Sequence, residues 1–86
     1  MKSWATAEFW KRYARLPAAV QRDARKAYQL WRREPRHRSL HFKKAGEVWS
    51  VRVSRGYRAV GLLERDTVQW FWIGPHDEYE RLIREQ

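Results

Sequence analysis

The sequence predicts an α+β fold, in which two N-terminal helices pack on a four-stranded, mainly antiparallel sheet with a short C-terminal helix. The first observation behind this prediction is the helical spacing of apolar residues up to about position 34, bounded by prolines. The second is a set of strand-like runs between positions 40 and 73 that very short turns connect. Helices followed by such a run of strands are typical of the α+β class.

The first predicted helix runs to about Leu16, with Ser3 or Thr6 as its N-cap. Glu8 lies in its first turn, where a carboxylate interacts favourably with the helix dipole. The apolar residues of this segment recur at helical spacing and form the stripe Ala5, Phe9, Tyr13 and Leu16.

The second predicted helix begins with Pro17 at its first position and runs to about Glu34, because Pro35 cannot continue it. Its buried stripe is expected to consist of Val20, Ala24, Ala27 and Trp31, with Leu30 beside it. The two helices are expected to form an antiparallel hairpin laid across the sheet.

After a basic loop at 35–39, Leu40–Lys43 alternates in polarity and is predicted as a half-buried strand. Leu40 and Phe42 would point inward, and Lys44–Glu47 would form the next turn.

Three further strands are predicted, joined by turns at Arg55-Gly56 and Arg65-Asp66. We expect a positive φ at Gly56, where a missing Cβ suits a tight turn. The last strand is apolar on both faces, which predicts that protein covers it on both sides. These strands are Val48–Val53, with Ser50 and Arg52 on one face, Arg58–Leu63 and Thr67–Ile73.

The chain of 86 residues is long enough for one domain, expected to span 1–86, and its net charge is +9. Residues 1–46 hold 13 Lys and Arg against 3 Asp and Glu, whereas residues 47–86 hold 6 against 7. A basic half of this kind predicts a polyanionic partner, either a nucleic acid or an acidic protein segment. The alternative is that the charge only keeps an aromatic-rich protein soluble.

Several classes of protein are not expected. The sequence has no cysteine, which excludes disulfides and thiolate metal sites and favours a reducing cytoplasm. The N-terminus lacks the apolar core of a signal peptide, and no run approaches the ~20 apolar residues of a membrane span. The three histidines lack zinc-ligand spacing, so we expect no metal, no cofactor and no membrane partner.

The C-terminal helix is expected to run from Pro75 to about Arg84. Polar side chains of this helix and of the predicted sheet suggest RNA cleavage without a metal. Attack by the RNA 2′-hydroxyl needs a base, an acid and cations around the phosphate. Histidine is the side-chain type that exchanges protons most readily near neutral pH, so His76 suits proton transfer. Tyr79 suits stacking on a base or a share in that transfer. The candidate residues are Lys43, Lys44, Arg52, Arg58, His76 and Tyr79.

Other roles are open for these residues at this point. His76 and Tyr79 are three apart and share a helix face, which also fits a helix cap and a core tyrosine. Arg52 and Arg58 also fit a solvated sheet edge, and Lys43 and Lys44 a solvated turn.

The chain resembles the RelE/ParE superfamily of type II toxin–antitoxin toxins. The resemblance covers nearly the whole chain and rests on two N-terminal helices followed by four motifs. These are Leu40–Lys44, Trp49–Val53, Tyr57–Val60 and Trp72–Tyr79.

The resemblance implies a small toxin that a cognate antitoxin neutralises and, in the RelE-like branch, an mRNA endoribonuclease acting in the ribosomal A site without metal. Arg58 matches the arginine that contacts the scissile phosphate, and His76 and Tyr79 match C-terminal catalytic or base-stacking positions. Lys43 and Lys44 match the lysine-bearing strand, and Arg52 an arginine whose role varies. His76 departs from members that have arginine there.

Two alternatives come with the resemblance. The ParE branch shares the fold but inhibits DNA gyrase by binding and lacks the nuclease residues. The second alternative is an inactive orphan toxin that acts only as an antitoxin-binding partner.

Overall fold

The structure, a computed structural model, describes residues 1–85 of the chain. Within these residues, the strands are β1 (Lys2–Ala5), β2 (Lys43–Ala45), β3 (Val48–Ser54), β4 (Tyr57–Glu64) and β5 (Thr67–Pro75). The helices are α1 (Ala7–Ala14), α2 (Ala18–Arg33) and α3 (His76–Arg84), with a 3-10 helix at Arg38–Leu40. The predicted α+β class is confirmed. No helix in residues 1–85 is both long enough and apolar enough to cross a bilayer.

The sheet has the strand order β1-β5-β4-β3-β2, and the predicted antiparallel meander is formed by β3, β4 and β5. Strand β2 adds a further antiparallel pairing with β3. The prediction of four strands is wrong, because β1 adds a fifth strand that pairs in parallel with β5. Ser3 therefore lies in a strand and not at a helix cap. Thr6 is the N-cap of α1, and its Oγ1 accepts a hydrogen bond of 3.1 Å from the Phe9 N–H.

The predicted strand Leu40–Lys43 is also wrong. The chain makes a 3-10 turn in which the His37 Nδ1 atom accepts a hydrogen bond of 3.2 Å from the Ser39 N–H. His41 then takes a left-handed conformation with a φ of 47°, so that no extended strand can pass through it. Leu40 and Phe42 are nevertheless buried, as the alternating pattern predicted.

The tight turns place their left-handed residues elsewhere than expected. Gly46, between β2 and β3, has a φ of 65°, and Arg65, between β4 and β5, has a φ of 58°. The expected positive φ at Gly56 is wrong, and a Cβ added to Gly56 would meet no atom within 4 Å.

The sheet is covered on both faces. On one face, α1 packs on β5 and α2 packs on β3, over a cluster of large buried side chains. On the other face, Tyr79 of α3 joins a smaller cluster with Val48, Val60 and Trp72. Strand β5 supplies Trp70 to the first cluster and Trp72 to the second, which confirms the prediction that it is covered on both sides.

The predicted stripe of α2 faces the large cluster, but the stripe predicted for the first helix is correct only for Phe9 and Tyr13, because Ala5 lies in β1 and Leu16 follows the end of α1. Val20 and Trp31 of α2 are buried, and Phe9 and Tyr13 of α1 pack against the large cluster. A groove of about 460 Å³ separates the two helices above the sheet.

Replacing Gly61 by alanine is expected to destabilise the fold. A Cβ at this buried position would lie 2.8 Å from the Gln69 carbonyl oxygen and from Val68 Cγ1, at a bulge of the β4–β5 pairing. Overpacking of this kind costs about 1–3 kcal/mol of unfolding free energy. Urea denaturation of Gly61→Ala measures the loss. Gly56→Ala, where the new Cβ has open space, is the matched control, and equal losses in the two variants would contradict the steric argument.

Candidate active site

Two arginines oppose each other on the face of the sheet that α3 covers. Arg52 of β3 pairs directly with Arg58 of β4, so their side chains lie on the same face. Their neighbours Val53 and Ala59 point to the opposite face, into the large cluster. Two like charges in directly opposed positions repel each other, and the arrangement therefore favours a bound anion.

Arg58 is held in place through one of its nitrogens. Its Nη1 atom donates to the carbonyl oxygens of Ser54 at 2.8 Å and Tyr57 at 2.9 Å, and more weakly to that of Arg55 at 3.5 Å. Within residues 1–85, the Nη2 and Nε atoms of Arg58 donate no hydrogen bond to another protein group. The guanidinium is thus oriented by the β3–β4 turn while other donors stay available to a ligand.

Burial lowers the pKa of Arg58, and the neighbouring Arg52 guanidinium lowers it further. The nearby Tyr79 and Glu80 act in the opposite direction and raise this pKa. An arginine keeps its proton near neutral pH, so the result is a positive charge in surroundings that disfavour it. A phosphate at this position would relieve that cost.

His76 is the first residue of α3, and the sheet places its backbone at the β3–β4 turn that also holds Arg58. In the β4–β5 pairing Arg58 lies opposite Gly74, two residues before His76. The His76 N–H then donates to the Gly56 carbonyl oxygen at 2.8 Å, which fixes the start of α3 to the β3–β4 turn. The imidazole is partly exposed, and its Nδ1 atom is 3.9 Å from Glu80 Oε1.

Tyr79 lies in the core beneath α3. Its side chain is 5% exposed, and its hydroxyl is 3.0 Å from the Ser50 Oγ atom, to which it donates a hydrogen bond. Its ring centroid is 5.7 Å from that of His76. So little exposed ring leaves Tyr79 poorly suited to stacking on a base, whereas its contacts fix α3, and with it His76, on the sheet.

The two predicted lysines lie on opposite faces. Lys43 of β2 pairs with Ser50 and therefore shares the face of the arginines, whereas Lys44 pairs with Trp49 on the other face. Both side chains are exposed. The structure thus brings five of the six candidate residues to one face and separates Lys44 from them.

Sequence analysis did not identify Ser50 and Glu80 as members of this site. Ser50 is 2% exposed and anchors Tyr79, a contact between strand and helix that no local pattern reveals. Glu80 follows His76 at i+4, a spacing that could have identified it. No three His, Asp or Glu side chains within residues 1–85 are grouped in a way that would hold a metal ion.

This architecture is that of RelE-type toxins. It matches the RelB–RelE antitoxin–toxin complex from Methanococcus jannaschii with a TM-score of 0.72 and 12% identity, over 91% of this chain and 95% of that chain. It matches the YoeB/ParE toxin from Agrobacterium tumefaciens with a TM-score of 0.68 and 18% identity, over 88% and 99%. It matches the RelE–RelB complex from Pyrococcus horikoshii OT3 with a TM-score of 0.64 and 17% identity, over 86% of this chain and 92% of that chain. At these identities the likeness shows the fold alone.

The sequence itself shows the family. Residues 18–81 match the model of the ParE-like toxin domain, and the chain belongs to this family. The predicted membership of the RelE/ParE superfamily is confirmed. Among curated proteins, no sequence matches.

Arg52→Gln is expected to raise stability at low ionic strength, because it removes the repulsion with Arg58. Opposed like charges cost up to about 1 kcal/mol, and partial exposure and salt reduce this cost. Denaturation in low and high sodium chloride measures the gain, which should shrink with salt. Arg22→Gln, on the exposed side of α2, is the control. Added phosphate should stabilise wild type more than Arg52→Gln, and equal stabilisation would argue against an anion site.

Tyr79→Phe and Ser50→Ala test the buried hydrogen bond between these side chains. Each single change is expected to lower the unfolding free energy by about 1 kcal/mol or more, because it leaves a buried hydroxyl without a partner. The double variant should cost clearly less than the sum of the two losses. A double-mutant cycle by chemical denaturation measures this coupling, and strict additivity would contradict it.

Proposed function

We propose that this toxin is a metal-independent, ribosome-dependent endoribonuclease that cuts mRNA in the cytoplasm and so inhibits translation. The observation that supports the proposal most strongly is the pair of opposed guanidiniums, Arg52 and Arg58, at the start of the helix that carries His76. Such a cluster supplies the two requirements of RNA cleavage without metal, which are a cationic phosphate site and a group that exchanges protons.

Arg58 and Arg52 would hold the scissile phosphate. Arg58 has the more restricted guanidinium, since its Nη1 is bound to the β3–β4 turn, and it can present its other donors to phosphate oxygens. Negative charge grows on these oxygens as the 2′-oxygen attacks. Two cations that already repel each other stabilise that charge without rearrangement.

His76 would exchange one of the two protons of the reaction. In the cleavage step, a bond forms between the 2′-oxygen and phosphorus while the bond from phosphorus to the 5′-oxygen breaks. One proton leaves the 2′-hydroxyl, and another reaches the departing 5′-oxygen. A positioned acid or base contributes about 10²–10⁴-fold to such a step. Tyr79 would act through His76, because it anchors α3 and does not reach the surface.

The lysines and the basic helices would bind nucleic acid more widely. Lys43 extends the face that carries Arg52 and Arg58, which we call the cationic face. Lys44 lies on the opposite face and would contact a different stretch of the RNA backbone. The excess of Lys and Arg in residues 1–46 suits docking on ribosomal RNA.

A cognate antitoxin is the second partner that we propose. Two of the similar structures are complexes of RelE with RelB. An antitoxin of this chain would supply acidic and apolar side chains to its basic surface.

The alternative function is inhibition of DNA gyrase by binding. The observation that favours it is the match to the ParE-like toxin domain, a branch in which the resemblance implies gyrase as the target. On this alternative, toxicity would not depend on His76.

The test is a cell-free translation reaction on a defined mRNA with mapped 5′ ends. Wild type is expected to cut mRNA only when ribosomes translate, and Arg58→Gln and His76→Ala should each cut it at least about 10²-fold more slowly. Arg65→Gln, which removes an exposed arginine of the β4–β5 turn outside the basic half of the chain, should retain activity. The denaturation midpoint of each variant separates lost activity from lost folding, since Arg58 also stabilises the β3–β4 turn.

Other outcomes reject the proposal in different ways. Intact mRNA together with inhibited gyrase supercoiling would establish the ParE-like alternative. Intact mRNA with unaffected gyrase and no growth inhibition would indicate an inactive toxin. Cleavage that survives both site substitutions would keep the activity and reject the site.

A further inference from the structure

His76 and Glu80 lie about one helical turn apart on the exposed side of α3. The Nδ1 atom of the His76 imidazole is 3.9 Å from the Oε1 atom of Glu80, and the two side chains are 40% and 58% exposed. Ion pairs with this spacing and exposure contribute little to the stability of a fold. The consequence of this contact therefore lies in the chemistry of the imidazole ring.

The two nitrogens of the His76 ring have different surroundings. A neutral imidazole carries its proton on one nitrogen and keeps a free lone pair on the other. A carboxylate beside one ring nitrogen favours the tautomer that has its proton on that nitrogen. Glu80 is beside Nδ1, so the Nε2 atom of His76 keeps the lone pair. A free lone pair on a positioned ring is what a general base needs.

Neighbouring contacts limit the movement of the imidazole. The His76 N–H donates to the Gly56 carbonyl oxygen at 2.8 Å, which fixes the backbone at the start of α3. The ring centroid of Tyr79 is 5.7 Å from that of His76, and the Tyr79 hydroxyl is 3.0 Å from Ser50 Oγ. The imidazole thus has an anchored aromatic ring and the Glu80 carboxylate as its neighbours.

Glu80 also acts on the cationic face. Burial and the Arg52 guanidinium lower the pKa of Arg58, and the Glu80 carboxylate acts in the opposite direction. Because Glu80 is close to both Arg58 and His76, a histidine that takes up a proton becomes a third cation of this cluster, and repulsion opposes the transfer. The Glu80 carboxylate compensates the new charge, which is the second way in which it favours a base at this position.

We propose that Glu80 is a positioning residue that makes His76 the general base of RNA cleavage, by holding the imidazole proton on Nδ1. Nε2 takes the proton of the 2′-hydroxyl while the 2′-oxygen forms its bond to phosphorus and the bond from phosphorus to the 5′-oxygen breaks. Solvent protonates the departing 5′-oxygen, and the imidazolium then returns its proton to solvent. The products are a 2′,3′-cyclic phosphate and a 5′-hydroxyl. The role as base rests on the proposed function, whereas the effect of Glu80 on the ring belongs to the free protein.

The first measurement is the tautomer of His76 in the free protein. Long-range correlation of ring protons with ¹⁵N nuclei in mildly alkaline buffer reports which nitrogen carries the proton, and His76→Gln identifies the signals. We expect the Nδ1–H form to predominate in wild type and the population to move toward the Nε2–H form in Glu80→Gln. Glu78→Gln should leave the tautomer unchanged. It is the matched control, because it removes another exposed carboxylate of α3 that lies two residues from His76 and does not share its face.

The second measurement is the rate of mRNA cleavage on saturating translating ribosomes. Glu80→Gln should lower this rate by about 10–100-fold, as for partners that orient a metal-ligating histidine. The ribosome concentration that gives the half-maximal rate should not change, because Glu80 orients the base and does not hold the RNA. In the His76→Ala background, Glu80→Gln should have little further effect, since a residue that acts through His76 has no imidazole left to orient.

Three results would overturn the inference. The first is the same tautomer population in wild type and in Glu80→Gln. The second is unchanged cleavage by Glu80→Gln. The third is a loss of activity from Glu80→Gln that is equally large in the His76→Ala background, because Glu80 would then act through Arg58 or directly on the RNA.

Failure of the proposed function has a different signature. A wild-type protein with the Glu80-dependent tautomer that cuts no mRNA would reject the nuclease, and with it the role of His76 as its base. A wild-type protein that cuts mRNA while its tautomer does not depend on Glu80 would reject this inference alone.

Discussion

The double coverage of β5 is the constraint on which the rest of the structure depends. Trp70 enters the large cluster under α1 and α2, and Trp72 enters the smaller cluster under α3. Each helical layer buries its apolar side chains against this strand or its neighbours, and the burial of such aromatic surface dominates the stability of small proteins. The same strand ends at Pro75 and starts α3 beside Arg58. Stability and the geometry of the candidate active site therefore have a common origin.

The cationic face contains a local conflict that the fold does not resolve. Arg52 and Arg58 occupy opposed positions where complementary or apolar side chains would be more stable. The surrounding contacts keep the conflict in place, since the β3–β4 turn binds Nη1 of Arg58 and the pair of Tyr79 and Ser50 fixes α3 over the same face. Places where a sequence works against local stability are where function is expected.

Much of the fold follows from the sequence, since hydrophobic periodicity predicts α2, α3 and the β3–β4–β5 meander within about two residues. The fifth strand β1 was not predictable, because Lys2–Ala5 is extended only through its pairing with β5 near the other end of the sequence. The strand predicted at Leu40–Lys43 failed for a local reason. The burial of Leu40 and Phe42 gives the alternation of a strand, but a 3-10 turn and a left-handed His41 produce the same burial.

The candidate active site was predictable in its cations and its histidine but not in its geometry. Sequence spacing placed His76 and Tyr79 on one helix face, yet only the packing of α3 shows that Tyr79 is turned into the core. Similarly, the face to which Lys43 and Lys44 point depends on the register of β2 with β3. A one-residue change of register would exchange the two lysines.

The parallel pairing of β1 with β5 has a consequence for the order in which this protein folds during its synthesis. Residues 2–5 leave the ribosome early, but their partners at 67–70 follow only after most of the chain. Contacts between such distant segments form late and slow folding. The nascent chain can thus expose its basic helices while β1 is still unpaired and α3 is not yet made. The candidate active site is completed only when α3 docks on the sheet, so it is among the last parts of this protein to form.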